Sequence, residues 1–244
     1  MKSAISIILT CVLAVVSIGV TAVGLIGARQ NHENTLCVGL DAKVCDWPQI
    51  QFIDSKGVKA VMDRDFGGYV NKPLSSIDTD VLEKVLLEQG YIGKCIAWTT
   101  PDGILHVEVC QRTPVLKLSQ SDGIWYADDE GKCFKVKQDW CAGLPEIAGQ
   151  GKIEDKKWIE GASRIGHWLQ DNERWKAEIE RINSDEKGDL DIKLAGRSEN
   201  FIFGQPEDVE VKFRRIGEYL EKIAPRGIEY TSVSVKYKGQ IICK

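Results

Sequence analysis

Residues 104–118, ILHVEVCQRTPVLKL, alternate apolar and polar positions as a half-buried strand does. Leu105, Val107 and Val109 share one face; His106, Glu108, Cys110 and Arg112 share the other. Beyond Pro114 the apolar positions are Leu116 and Leu118, so the buried parity changes from odd to even. A slip of one residue turns every side chain to the opposite face, and proline cannot donate to a ladder. Upstream, LCVGLDAKVC at 36–45 leads through a polar stretch into 56–66, where Val58, Val61 and Met62 share a helical face. Asp78 is placed to cap a helix over 79–89, with Ile77 stapling onto Leu82. Val81, Leu82, Val85 and Leu86 form its stripe, and Gly90 stands where a C′ glycine is expected. Strands at about 92–100 and 104–113 then make a hairpin around Thr100-Pro101-Asp102-Gly103. A two-residue Asp-Gly loop pairs Ile96 with Val109 and Cys95 with Cys110. A type I turn with Pro101 at its second position pairs Cys95 with Val109 instead. Both registers stay open. Residues 37–115 thus predict strand, helix, helix, strand, strand, with helices on one face of a three-stranded sheet.

Turn signals at Ser121-Asp122-Gly123 and Asp129-Glu130-Gly131 predict a meander after Pro114, with Asp128, Asp129 and Glu130 at a solvated hairpin tip. Trp158, Ile159, Ala162, Ile165 and Trp168 or Leu169 predict a helix over 154–170; Trp175, Ile179 and Ile182 predict another over 172–182. Strands follow at 189–195 and 200–204. Pro206 opens a helix over EDVEVKFRRIGEYLEKI, acids first and bases later as the helix dipole prefers. The chain ends on 228–243, one long strand or two joined by a bulge at Lys238-Gly239. The class is α+β, the later part a mixed β domain with helices packed on an antiparallel sheet.

Composition narrows the function. The net charge is −4 and no basic block occurs, which disfavours nucleic acid as a partner. Ser3–Ala28 carries no charge. At about 1.5 Å per residue that run exceeds the roughly 30 Å hydrocarbon thickness of a bilayer, and it is longer than a signal-peptide core. A single uncleaved transmembrane helix at 3–28 is therefore expected, with Met1–Lys2 as a cytoplasmic tail and everything after Arg29 across the membrane. Outside this run lie Cys37, Cys45, Cys95, Cys110, Cys133, Cys141 and Cys243, an odd number without C-x-x-C spacing. Buried apolar thiols are the expectation, and a disulfide in an oxidising compartment is the alternative. Only His32, His106 and His167 are present, and no zinc spacing, G-x-S-x-G, phosphate loop or H-E-x-x-H appears. No catalytic residue, cofactor, metal or small-molecule substrate is assigned; an anchored, motif-free ectodomain points to binding.

Four stretches, in order behind the anchor, resemble the FtsQ/DivIB bacterial cell-division proteins. VEVCQRTPVLKL is similar to the family's Arg-x-Pro junction after the last POTRA strand. IWYADDEGKCF resembles its strand–turn–strand hairpin. FIFGQPEDVEVKFRRI resembles the strand that ends in Gly and leads into a helix with a basic pair. YTSVSVKYKGQIIC resembles the terminal strands. The resemblance implies a transmembrane helix at 3–28, a POTRA domain at 36–114 and a β domain at 115–244. It implies a non-enzymatic divisome scaffold of the inner membrane, facing the periplasm at the septum, that recruits FtsB and FtsL and helps control septal peptidoglycan synthesis. Arg112 and Pro114 would be junction residues. Arg215 matches the second base of the helix pair, and Lys236 and Tyr237 match an Arg-Tyr on the terminal strand. Lys in place of Arg gives up bidentate pairing to a carboxylate. With Gly239 and Ile241 these residues form the expected partner-facing set, where an FtsB segment would add as a strand. A POTRA-bearing secretion or outer-membrane assembly component and a membrane-tethered hydrolase are the alternatives.

Overall fold

A computed structural model describes residues 35–45, 51–136 and 143–244, and Ile18 alone. The expected anchor, Ile18 apart, lies outside the described residues, as do Cys11 and Cys141. Among the described residues no helix is long and apolar enough to cross a membrane. They divide into two compact units, with the break in the chain between Gln111 and Arg112; Phe52 belongs to the second.

The first unit contains β1 (Gly39–Val44), α1 (Ser55–Val61), α2 (Thr79–Leu87), β2 (Ile92–Thr99) and β3 (Ile104–Gln111). Its sheet has the order β1-β3-β2, with β1 parallel and β2 antiparallel to β3. Asp54 caps α1 by accepting from Gly57 N–H at 2.7 Å, and Asp78 caps α2 by accepting from Val81 N–H at 3.0 Å. Val58, Val61 and Met62 meet Leu82, Leu86, Leu105, Val107 and Val109 in one core. Val81 does not join it and is exposed, at the edge of the stripe. The hairpin pairs Cys95 with Val109. Thr100 N–H donates to Ile104 O and Gly103 N–H to Thr100 O, each at 3.0 Å. This is the turn with Pro101 second, in which no proline N–H is required. His106 ties the three strands together. Its Nδ1 lies 3.1 Å from Asp41 Oδ2, its Nε2 3.1 Å from Thr100 Oγ1, and its ring stacks on Trp98 at 5.1 Å. On the edge strand β2, Ala97 N–H donates to Glu83 Oε1 of α2 at 2.7 Å.

A disulfide joins Cys45, just past β1, to Cys110 on β3 across 65 residues. That corrects the expectation of thiols throughout, because the parallel β1–β3 register carries the two cysteines to the same level. Cys37 remains a buried thiol, and burial pushes the Cys95 and Cys133 thiols up to about 11.

The second unit contains β4 (Pro114–Gln120), β5 (Gly123–Asp128), β6 (Cys133–Lys135), β7 (Glu146–Gly149), α3 (Lys156–Asp171) and α4 (Glu173–Glu178). It continues through β8 (Ile179–Ser184), β9 (Leu190–Leu194), β10 (Asn200–Gly204), α5 (Val209–Lys222), β11 (Ser232–Ser234) and β12 (Ile242–Cys243). The strands form one nine-stranded sheet in the order β12-β11-β10-β9-β8-β7-β4-β5-β6. It is mixed, where an antiparallel sheet was expected. β4 and β7, β7 and β8, and β10 and β11 run parallel. Helical crossovers make the last two pairs, α3 with α4 after β7 and α5 after β10, and such a connection returns the chain in the same direction. Leu116 and Leu118 pack with α3 and α5 residues in the second core, so the parity change at Pro114 accompanies passage into a different sheet.

Three further expectations are corrected. The helix expected over 172–182 ends at Glu178; Ile179 and Ile182 belong to β8, opposite Leu194 and Ile192 of β9. Asp128 is not solvated but 3% exposed. It accepts from Arg112 Nη1 at 2.7 Å and from the Glu130 and Lys132 N–H groups. The last helix begins at Val209 rather than Pro206, after an Asp208 with φ +53°. Pro114 opens β4 opposite Asp128, at a strand start that tolerates proline.

α3 approaches its neighbours through glycines. A Cβ on Gly161 would lie 1.9 Å from Pro206 O, and one on Gly166 2.5 Å from Val115 O. Gly161→Ala is therefore expected to lower stability by about 1–3 kcal/mol, read as an earlier urea midpoint. Replacing Cys45 and Cys110 together by Ser is expected to cost about 2–4 kcal/mol. Thiol alkylation of the unreduced, unfolded native chain should leave both cysteines unlabelled.

Candidate functional site

The expected partner-facing residues lie around the C-terminal margin of the nine-stranded sheet. α5 buries Val209, Phe213, Ile216 and Tyr219. Phe213 stacks on Trp168 of α3 at 4.3 Å and meets Phe203 of β10 at 5.2 Å. The same stripe carries Lys212, which is 3% exposed. Its Nζ donates to Gln205 O at 2.7 Å and lies 4.8 Å above the Phe203 ring. Burial lowers the Lys212 pKa, against the opposing pull of Glu207, Asp208 and Asp189. Lys212 was not among the expected site residues. Its signal was present in the spacing, since it falls three residues after Val209 and four before Ile216.

β11 lies parallel to β10, and Val235 N–H reaches Ile202 O at 3.0 Å. Lys236 then crosses Gly204, whose φ is +76° and whose Cβ would lie 2.7 Å from the Lys236 Cγ. Beyond it, Lys236 Nζ pairs with Asp189 Oδ2. Asp189 Oδ1 accepts from Gln205 Nε2 at 2.7 Å. Arg215 on α5 donates from Nη1 to Tyr237 O at 2.8 Å, which braces the following turn. Tyr237 is exposed, and Gly239 holds φ +73°, a conformation suited to glycine. Lys238 Nζ lies 3.4 Å from Asp208 Oδ2. Ile241 packs partly against the core. Lys236 and Arg215 are thus engaged within the chain, whereas Tyr237 and Gly239 face solvent.

The turn launches β12, antiparallel to β11 and at the sheet margin. The terminal region is therefore two short strands joined by a turn, not by a bulge. Ser232 and Lys244 exchange both backbone bonds, at 3.2 and 3.0 Å. Antiparallel alternation then turns the N–H and C=O of Cys243, opposite Val233, away from β11 and outward. Ile241 stands just before the strand. Side chains of both residues pack toward the core, so what the margin offers in the plane of the sheet is backbone.

Burial would raise the Asp189 pKa, but the bonds from Lys236 and Gln205 outweigh it and hold the carboxyl below its usual 3.8. A depressed carboxylate stabilises the fold above its unfolded pKa, and that stabilisation is lost as the pH falls through the folded value. Asp189→Asn is expected to flatten the acid limb of the stability–pH profile, measured by urea denaturation below about pH 4.

A family model described as FtsQ/DivIB, C-terminal related, matches residues 113–244. A second, described as a POTRA-like domain, matches residues 35–110. No curated protein matches the chain. Both matched families are non-catalytic scaffold domains. With a terminal model that covers more than half of its residues, the chain belongs to the FtsQ/DivIB family of cell-division scaffolds.

Proposed function

We propose that this chain is a single-pass inner-membrane scaffold that recruits FtsB and FtsL to the septum and helps control septal peptidoglycan synthesis. Residues 3–28 anchor it, Met1–Lys2 face the cytoplasm, and both units work in the periplasm. The charge-free run Ser3–Ala28 supports the anchor. The Cys45–Cys110 disulfide supports an oxidising compartment. POTRA residues 36–114 and β-domain residues 115–244 divide the work, with Arg112 and Pro114 at the junction.

The observation that carries the partner mode is the outward backbone of the last strand. An extended FtsB segment adds beside β12, satisfies the Cys243 N–H and C=O, and passes the turn where Tyr237 and Gly239 are exposed. Arg215 braces that turn and lends it positive charge, and Lys236, paired with Asp189, leads into it. Ile241 keeps the strand seated on the core.

Cys243→Pro removes the outward donor without touching the Ser232–Lys244 bonds. Full-length chain carrying it is expected to capture FtsB about tenfold more weakly or worse, measured by pulldown titration. Cys243→Val, which keeps the N–H, should bind as the native chain does. Undiminished capture by the proline variant, with an unchanged urea midpoint, would rule out strand addition at β12.

A further inference from the structure

The first unit carries an apolar rim that partner capture at β12 leaves unused. Leu36 and Val38 stand two apart on an extended segment and so point the same way. Cys37 between them is fully buried. Leu36 is 47% exposed and Val38 64%. Exposed Pro73 sits opposite Leu36, and the segment that carries it also carries Val70, 50% exposed. The β2–β3 turn closes the rim, because the Cβ position of Gly103 lies 3.3 Å from Val38 Cγ2.

Backbone groups here are already used. Cys37 N–H donates to Lys72 O, Val38 N–H to Gly103 O, Asn71 N–H to Cys37 O and Leu74 N–H to Thr35 O. A guest strand would find little to pair with; what remains outward is hydrocarbon. Of the charged groups on these segments, Lys72 and Asp102 are both exposed; the Asp102 carboxylate accepts from the Thr100 hydroxyl, and Lys72 stands beside Pro73. A cation beside apolar side chains matches the boundary between acyl chains and phosphates.

The length of chain before the rim bounds its distance from the proposed anchor. The charge-free run ends at Ala28 and Leu36 follows eight residues later. At about 3.5 Å per extended residue, the rim stays within about 28 Å of the end of that run. We propose that the rim rests on lipid. Leu36, Val38, Val70 and Pro73 enter the boundary between headgroups and acyl chains, Lys72 meets phosphate, and the contact sets the tilt of the first unit on the membrane. This rests on the anchored topology proposed above.

The test uses full-length chain reconstituted into vesicles of phosphatidylethanolamine and phosphatidylglycerol, doped with a phospholipid bearing a diazirine within its acyl chain. After irradiation, adducts are mapped by mass spectrometry. Adducts are expected within residues 3–28 and, in addition, at 36–38 and 70–73, several-fold above Leu87, an exposed apolar residue of the same unit. Leu36→Asp with Val38→Asp should abolish the rim adducts and keep those of the anchor, with the Cys45–Cys110 disulfide reporting an intact fold. Adducts on 3–28 without any at the rim would overturn the lipid contact alone. Absence of adducts on 3–28 would overturn the anchored topology and the lipid contact with it.

Discussion

Helix α3 lies where only a residue without a side chain lets it lie. Gly161 sets its backbone against the carbonyl of Pro206, and that contact fixes the connection between β10 and α5. Gln205, in the same connection, gives its carbonyl to Lys212 and its amide to Asp189. Asp189 in turn holds Lys236. Trp168, further along α3, stacks on Phe213 and fixes the rotation of α5, which turns Arg215 toward the Tyr237 carbonyl. One close approach between two backbones therefore propagates to the turn at 237–240 and to the strand it launches. Interiors packed at crystal-like density transmit position in this way.

The first unit relies on a different device. A three-stranded sheet has little area to bury, and β1 enters it from the far end of the sequence to pair in parallel with β3. Three ties hold β1 in place: the ladder itself, the Asp41–His106 contact and the Cys45–Cys110 bond. The covalent tie acts chiefly on the unfolded chain by shortening its excursions.

Local pattern in the sequence carried most of the elements, because local forces set them. Asp78 caps its helix, Leu105, Val107 and Val109 face the core, and Leu116 and Leu118 bury the opposite parity. What stayed hidden depends on pairing between distant residues. Trp175, Ile179 and Ile182 fit a helical stripe, yet β7 and β9 on either side draw the last two into a strand. The parallel pairings, the Cys45–Cys110 bond and the burial of Asp128 under Arg112 all join partners beyond the reach of local pattern. At the C-terminal margin, the break at Lys238-Gly239 and the terminal position of the strand were legible, but not that the break is a turn that reverses the chain. The engagement of Lys236 with Asp189 and the burial of Lys212 were not, although the second lay within the helical spacing.

The carboxylate of Glu83 sits on the Ala97 N–H, where a neighbouring chain's carbonyl would have to arrive. It therefore works as a stopper against homotypic zippering. Copies crowded side by side cannot polymerise through β2 without first expelling the Glu83 side chain from its hydrogen bond.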